Sequence, residues 1–139
     1  MPVVQKSFRI KTRGSPDVLD ITPQVERIVA ESGVQQGVVN IAGVGSTLGI
    51  TTLEFESGCV TDLRRALEQI APAEGDYAHN ARWGDGNGYA HLRSALVGTA
   101  QSFPVSEGRL HNGTWQQIVL CDFDNRARER QVLVTVIGE

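Results

Sequence analysis

The chain has 139 residues, a mass of 15.1 kDa and a formal net charge of −3. This length fits one folded domain, so we expect residues 1–139 to form a single unit. No apolar run approaches the roughly 20 residues that a membrane-spanning helix needs, and the N-terminus lacks the pattern of a signal peptide. The slightly acidic balance argues against a broad nucleic-acid surface. We therefore predict a cytoplasmic protein that binds neither membranes nor nucleic acid.

The first half of the chain alternates between strand and helix patterns. Apolar and polar residues alternate from Val3 to Thr12, which is typical of a strand with one exposed face. Thr22 before Pro23 predicts the start of a helix, whose apolar stripe ends before Gly33. Later patterns predict two strands, Gly37–Ala42 and Ile50–Phe55, and then a helix that ends before Pro72.

The second half begins with a segment, residues 72–88, that lacks regular periodicity and reads as a long, ordered loop. Asn87 is a suitable N-cap for a third helix that ends before Gly98. The remaining patterns predict strands at Ser102–Val105, Trp115–Phe123 and Gln131–Ile137, the last two as an antiparallel hairpin. Strands at both ends with helices between them predict an α+β fold, an antiparallel or mixed sheet sandwich with about three helices.

The segment from position 77 to position 92 contains two of the three histidines, His79 and His91. Imidazole groups transfer protons near neutral pH and bind metal ions. The glycines of Asp85–Gly88 permit close approach of the backbone to a ligand, and the first N–H groups of the following helix can bind an anion. From the residues alone two interpretations stay open: an anion-binding site, or an ordinary helix-capping turn with structural histidines.

Several motifs, taken in order, make the chain resemble a known family. They are Ser46-Thr47-x-Gly49-Ile50-Thr51-x-x-Glu54, Tyr77-x-His79-Asn80, Gly84-Asp85-Gly86-Asn87-Gly88-x-Ala90-His91-Leu92 and Gly113-Thr114-Trp115-Gln116. This combination resembles the YjbQ family, also called UPF0047 or the secondary thiamine-phosphate synthase family. The resemblance implies a compact α+β homotrimer. It also implies a secondary activity that joins hydroxymethylpyrimidine pyrophosphate to thiazole phosphate with loss of pyrophosphate.

The resemblance and the residue types together give a set of candidate site residues. The catalytic candidates are His79, His91, Glu54 and Asp85. The candidates for binding a small phosphorylated metabolite are Ser46, Thr47, Arg82, Gly86, Asn87, Gly88 and Arg109. In this assignment the loop and the arginines stabilise negative charge on the departing pyrophosphate, and the histidines donate protons or bind a metal ion.

Gly45 departs from the family pattern, which usually has histidine immediately before the Ser-Thr pair. Because only His79 and His91 remain, the family positions cannot form a three-histidine zinc site, and we expect metal affinity to fall. Whether these two residues still hold zinc or magnesium stays open, as does the role of His111, either an exposed turn residue or a substitute ligand. The alternative function is a non-catalytic trimer that binds a phosphorylated metabolite.

Overall fold

The structure is a computed structural model that describes residues 2–14 and 16–139. Within these residues it has eight strands and four helices. The strands are β1 (Val3–Lys11), β2 (Asp17–Asp20), β3 (Gln36–Gly43), β4 (Leu48–Leu53), β5 (Ala100–Ser106), β6 (Arg109–Leu110), β7 (Gln117–Asp122) and β8 (Glu129–Gly138). The helices are α1 (Thr22–Ser32), α2 (Ser57–Ile70), α3 (Ala78–Trp83) and α4 (Gly88–Val97). None of these described helices is long and apolar enough to cross a bilayer.

The strands form two antiparallel sheets, which confirms the predicted α+β class. The larger sheet has the order β1-β8-β3-β5-β6, and the smaller has the order β2-β7-β4. Strand β7 is buried on both faces. Ile118 and Leu120 belong to the core that the smaller sheet shares with the larger sheet and α1, whereas Val119 and Cys121 pack in a second cluster with residues of α2 and α4.

The predicted hairpin between the last two strands is wrong. β7 pairs with β2 and β4 in the smaller sheet, and β8 pairs with β1 and β3 in the larger one. The connecting turn is short enough for a hairpin, but the chain uses it to pass from one sheet to the other. The reason is burial: β7 needs partners on both faces, while β8 alternates because it covers the core with one face only.

Helix α1 ends where the sequence predicts, at Gly33, which adopts a left-handed conformation with φ of 75°. Its start differs in detail, because Thr22 does not cap the helix. Thr22 is instead the first helical residue, and its hydroxyl accepts a hydrogen bond from the N–H of Ile118 at 2.8 Å. This bond attaches the beginning of α1 to β7.

Two helical segments go beyond the prediction. Helix α2 begins well before its apolar stripe, because the carboxylate of Glu56 accepts hydrogen bonds from the N–H groups of Gly58 and Cys59. These bonds cap the helix and lower the pKa of Glu56. The short helix α3 interrupts the segment predicted as a loop and carries His79.

A buried arginine fixes the end of α2 to α4. Nε of Arg93 donates to the carbonyl oxygen of Ala71 at 2.9 Å, and Nη2 donates to Oε2 of Glu68 at 2.8 Å. The guanidinium also lies over the ring of Tyr89, 4.9 Å from its centroid. With these partners the charge of Arg93 is compensated in the interior.

Two of the connections that carry the chain between the sheets are adjacent. Residues 44–47 lead from β3 in the larger sheet to β4 in the smaller one, and residues 98–99 lead from α4 to β5. The N–H of Gly43 donates to Thr99 O at 2.8 Å, and the N–H of Ile50 donates to Gly98 O at 3.0 Å. The crossings therefore lie side by side, which places Gly45 beside the end of α4.

Candidate functional site

The two clustered histidines meet in the structure. His79 lies on α3 and His91 on α4, with ring centroids 4.5 Å apart and ring planes inclined by 40°. Nδ1 of His79 is buried and makes no hydrogen bond, although Oδ1 of Asp85 lies 3.5 Å away. A buried ring nitrogen without a partner is uncommon and marks a position where a proton or a ligand can change the local interactions.

A groove opens beside His91 at the two crossings between the sheets. Its volume is about 340 Å³, and it is lined by Gly45, Ser46, His91, Ser94, Ala95, Gly98 and Thr99. None of these lining residues carries a carboxylate. The hydroxyl of Ser94 is used internally, because it donates to Leu48 O at 2.6 Å. The hydroxyl of Ser46 makes no hydrogen bond to any described residue and is exposed.

The loop that forms one wall of this groove, through Gly45 and Ser46, has three successive N–H groups without an acceptor. Those of Gly45, Ser46 and Thr47 donate to no other residue in the part of the chain that the structure describes. The carbonyl oxygen of Thr47, in contrast, accepts from the N–H of Phe123 at 2.9 Å and so fixes the loop to the end of β7. Consecutive backbone N–H groups without partners are a common binding element for anions.

Beneath the loop lies a network of buried charges. Nε and Nη2 of Arg130 donate to the two carboxylate oxygens of Asp122 at 2.8 and 2.9 Å. Nη2 also donates to Oγ1 of Thr47 at 2.6 Å, and that hydroxyl donates to Oδ2 of Asp124 at 3.0 Å. The Thr47 hydroxyl is therefore directed into the network, so that the predicted contact of Thr47 with a ligand phosphate stays a prediction for its backbone N–H.

Asp124 connects three segments around the site. Its Oδ2 accepts from Thr47, from Nδ2 of Asn87 at 3.3 Å and from Nε of Arg128 at 3.1 Å. Burial acts to raise the pKa of Asp124, but the hydrogen bonds from Thr47 and Asn87 and the charge of Arg128 outweigh it and hold the pKa below its ordinary value. The carboxylate is thus ionised at neutral pH.

The glycine loop before α4 differs from its predicted role. The N–H of Asn87 donates to Oδ1 of Asp85 at 3.2 Å, and the N–H of Gly88 donates to Oδ1 of Asn80 at 2.9 Å. These two donors are therefore not free for an anion, contrary to the expectation. A Cβ at Gly88 would lie 2.8 Å from Cβ of Tyr77, so this glycine permits close packing and not the approach of a ligand. Gly86 has φ of 67° and serves the turn itself.

The predicted N-cap at Asn87 is wrong, and the loop lines a second hollow that was not predicted. The Asn87 side chain makes no cap and bonds to Asp124 and to the N–H of Asn125 instead. Asp85 and Asn87 line a second hollow of about 270 Å³ together with Asn125, Arg126 and Arg128. Arg126 and Arg128, which line this hollow, were not among the predicted site residues.

Four predicted site residues lie away from the groove. Glu54 follows β4 at its far end, about 20 Å along the strand from Leu48, and lines a separate hollow with Phe55. Arg82 is exposed and stacks on the neighbouring indole ring at 5.8 Å. Arg109 lines a hollow beside α1, and His111 follows β6, where its N–H donates to a carbonyl group of β5. None of these four lines the groove, although Arg82 shares α3 with His79.

Arg130 is a buried residue near the site that was not predicted from the sequence. It lies on the same face of β8 as Val132 and Val134, both buried, so it is a charged residue in an apolar alternation. That pattern indicates a buried ion pair, and it was the available signal. The partner, Asp122, belongs to the other sheet, and its identity follows only from the packing of the two sheets.

The residues do not fit a metal site within one chain. Among those that the structure describes, no group of three His, Cys, Asp or Glu side chains is arranged to hold a metal ion. His79, His91 and Asp85 come closest, and position 45 supplies no side-chain donor. A structural or catalytic zinc ion requires at least three protein ligands.

Comparisons with known proteins agree on the relationship. A family model described as UPF0047 protein YjbQ-like matches residues 6–139. A UPF0047 protein of Methanothermobacter thermautotrophicus is 34% identical over 139 residues, which is 100% of this chain and 95% of that protein. UPF0047 protein YugU of Bacillus subtilis is 34% identical over 96% of this chain and 98% of its own length.

Solved structures with the same fold are similar at comparable identity. A YbjQ-like protein of unknown function from Sulfolobus solfataricus superposes with a TM-score of 0.89 at 33% identity, covering 99% of this chain and 100% of that one. A hypothetical protein from Aeropyrum pernix gives a TM-score of 0.90 at 31% identity, covering 98% and 99%.

Proposed function

The chain belongs to the YjbQ-like UPF0047 family, and from this premise we propose that the groove beside His91 binds the phosphoryl group of a small metabolite. One observation carries the proposal: His91 lines the same groove as Gly45 and Ser46, whose N–H groups donate to no described residue, and none of its lining residues bears a carboxylate. Such a surface favours a negatively charged guest and offers donors at fixed positions.

The reaction that we propose is of the thiamine-phosphate synthase type. The ring nitrogen of a thiazole phosphate attacks the methylene carbon of hydroxymethylpyrimidine pyrophosphate. The new C–N bond forms as the C–O bond to pyrophosphate breaks, and pyrophosphate leaves with the bonding electron pair. The chief catalytic demand is to stabilise charge on this leaving group, which the donors of the groove supply. His91 donates a hydrogen bond or a proton to the leaving oxygens, and His79 packs against its ring. No step uses a metal ion.

The test is an assay of the purified protein with both phosphorylated precursors, in which thiamine phosphate and pyrophosphate are measured. We expect both products in equal amounts, and His91→Gln to lower the rate about a hundredfold. Asp62→Asn is the control, because this exposed carboxylate on α2 does not line the groove. No product from the wild-type protein would refute the reaction, and unchanged turnover in His91→Gln would remove His91 from it.

The second candidate is a binding protein without catalysis. Gly45 favours it, because the position where the family usually has histidine contributes no side chain to the groove. This candidate predicts that a phosphorylated ligand stabilises the protein against heat while no turnover is detected. A bound divalent ion would need a ligand from another subunit. Metal analysis of the purified protein and of His111→Ala tests whether His111 is that ligand.

We also propose that the protein is a homotrimer. The outer face of the larger sheet supports association, because Val3, Ile137 and Val38 lie in register across β1, β8 and β3 and are all exposed. Light scattering on the purified protein should give the mass of three chains, and the mass of one chain would contradict the proposal. A cytoplasmic location and the absence of nucleic-acid and membrane binding stay predictions.

A further inference from the structure

Arg130 has unused hydrogen-bond donors directly behind the groove. A guanidinium group carries five N–H bonds. In Arg130 the Nε–H and both N–H bonds of Nη2 are used, by the two oxygens of Asp122 and by Thr47. The two N–H bonds of Nη1 donate to no described residue. The side chain is nevertheless only 9% exposed.

Nη1 of Arg130 is left uncovered at Gly45, because this residue has no side chain. A Cβ at this position would lie 2.9 Å from Nη1, so any side chain would cover or displace it. In the described part of the chain, the fully buried side-chain polar atoms without a partner are Gln24 Oε1 and His79 Nδ1. Nη1 is not one of them and therefore keeps contact with solvent. Arg130 is not itself a lining residue, but Gly45 lines the groove and its added Cβ would lie beside Nη1, which directs this contact toward the groove.

The charge balance suits a site that binds and releases an anion. Asp122 pairs with Arg130 and Asp124 lies 3.9 Å from Nη2, so the charge of Arg130 is compensated within the chain. The bidentate pair also fixes the guanidinium plane, which keeps Nη1 at a constant position. An oxyanion beside Gly45 would meet these two N–H bonds together with the backbone donors of residues 45–47.

We infer that Arg130 is an anion-binding residue that acts through the opening at Gly45. Its Nη1 and the backbone N–H groups of residues 45–47 bind one phosphoryl or pyrophosphoryl group. This inference rests on the proposed function and deepens it, because it names the residue that anchors the anion. It also makes position 45 a determinant of ligand access, since even a methyl group there would cover the anchor.

The experiment is a titration of ¹⁵N-labelled protein with inorganic phosphate and, separately, with pyrophosphate, followed by NMR. We expect the amide signals of Gly45, Ser46 and Thr47 to shift together and to report a single Kd. Gly45→Ala should raise this Kd at least about tenfold, and so should Arg130→Lys, which keeps a cation beside Asp122 but lacks Nη1.

Gly33→Ala is the matched control for backbone strain. Gly33 also has a positive φ, 75°, but no atom lies within 4 Å of its added Cβ, and it is remote from the groove. Its Kd should stay within about twofold of wild type. Circular dichroism checks that each variant is folded.

The possible outcomes distinguish a failure of this inference from a failure of the proposed function. If the wild-type protein binds neither anion at millimolar concentration, both fail. If phosphate binds but shifts signals elsewhere, or if Gly45→Ala and Arg130→Lys bind as tightly as wild type, phosphate binding survives and the role of Arg130 is refuted.

Discussion

Replacing Asp124 by asparagine tests the charge network with a nearly isosteric change. Three donors, from Thr47, Asn87 and Arg128, converge on Oδ2, and the N–H of Arg126 donates to Oδ1 at 3.2 Å. If the amide oxygen takes the place of Oδ2, the three bonds lose their ionic character, about 0.5 kcal/mol each. The amide nitrogen then faces the N–H of Arg126, which costs about 1 kcal/mol more. We therefore expect Asp124→Asn to lower the free energy of unfolding by about 2 to 3 kcal/mol at pH 7.

The lowered pKa of Asp124 determines how the stability difference between wild type and Asp124→Asn changes with pH. Because the pKa of Asp124 lies below its ordinary value in the folded protein, the ionised carboxylate stabilises the fold above the unfolded pKa of about 3.9. This stabilisation is lost as the pH falls through the folded pKa. The stability difference between wild type and Asp124→Asn should therefore be full at neutral pH and shrink as the solution becomes more acidic than about pH 4.

The assay is urea unfolding followed by far-ultraviolet circular dichroism, because Trp83 and Trp115 are 67% and 72% exposed and report the core poorly by fluorescence. Asp62→Asn is the control, since this exposed carboxylate pairs with Arg65 at the surface and should matter by less than about 0.5 kcal/mol. The reasoning fails if Asp124→Asn is as stable as wild type, or if the difference persists unchanged in acid.

Three further predictions concern other parts of the fold. Gly14→Ala should lower the free energy of unfolding by about 2 kcal/mol, because φ is +92° and a Cβ would lie 2.9 Å from the backbone of the β7–β8 turn; a loss below about 0.5 kcal/mol would contradict this. Burial raises the pKa of Cys121 to about 12, so a thiol reagent should label only Cys59 in the native protein and both cysteines in urea; two labels on the native protein would be the wrong result. Asn80→Ala removes the acceptor for the N–H of Gly88 and should cost about 1 to 2 kcal/mol in urea unfolding, whereas unchanged stability would show that water replaces the bond.

Local patterns in the sequence predicted the local elements well. Strand β1 and the end of α1 at Gly33 follow from alternation and from a left-handed glycine, which depend only on neighbouring residues. The hairpin prediction failed because turn length does not reveal which sheet a strand joins. The nearly continuous apolar run of β7, in contrast to the alternation in β8, was the evidence that the two strands have different surroundings.

The contacts of the candidate site were likewise predictable only where they join residues that are close in sequence. His79 and His91 are close in sequence and lie on consecutive helices, so their contact was accessible to sequence analysis. Glu54 was grouped with them by motif order, but an extended strand separates it from the groove. The contact between Arg130 and Asp122 depends on the packing of one sheet on the other, which residue spacing does not express.

The two side-by-side crossings have a mechanical consequence for a bound ligand. A ligand in the groove would contact both the segment that leaves the larger sheet and the segment that returns to it. It would therefore link the two sheets. A relative movement of the two sheets at this place would then require the ligand to dissociate first. Occupancy should slow the exchange with deuterium of the Gly43 and Ile50 amides, whose bonds hold the crossings together.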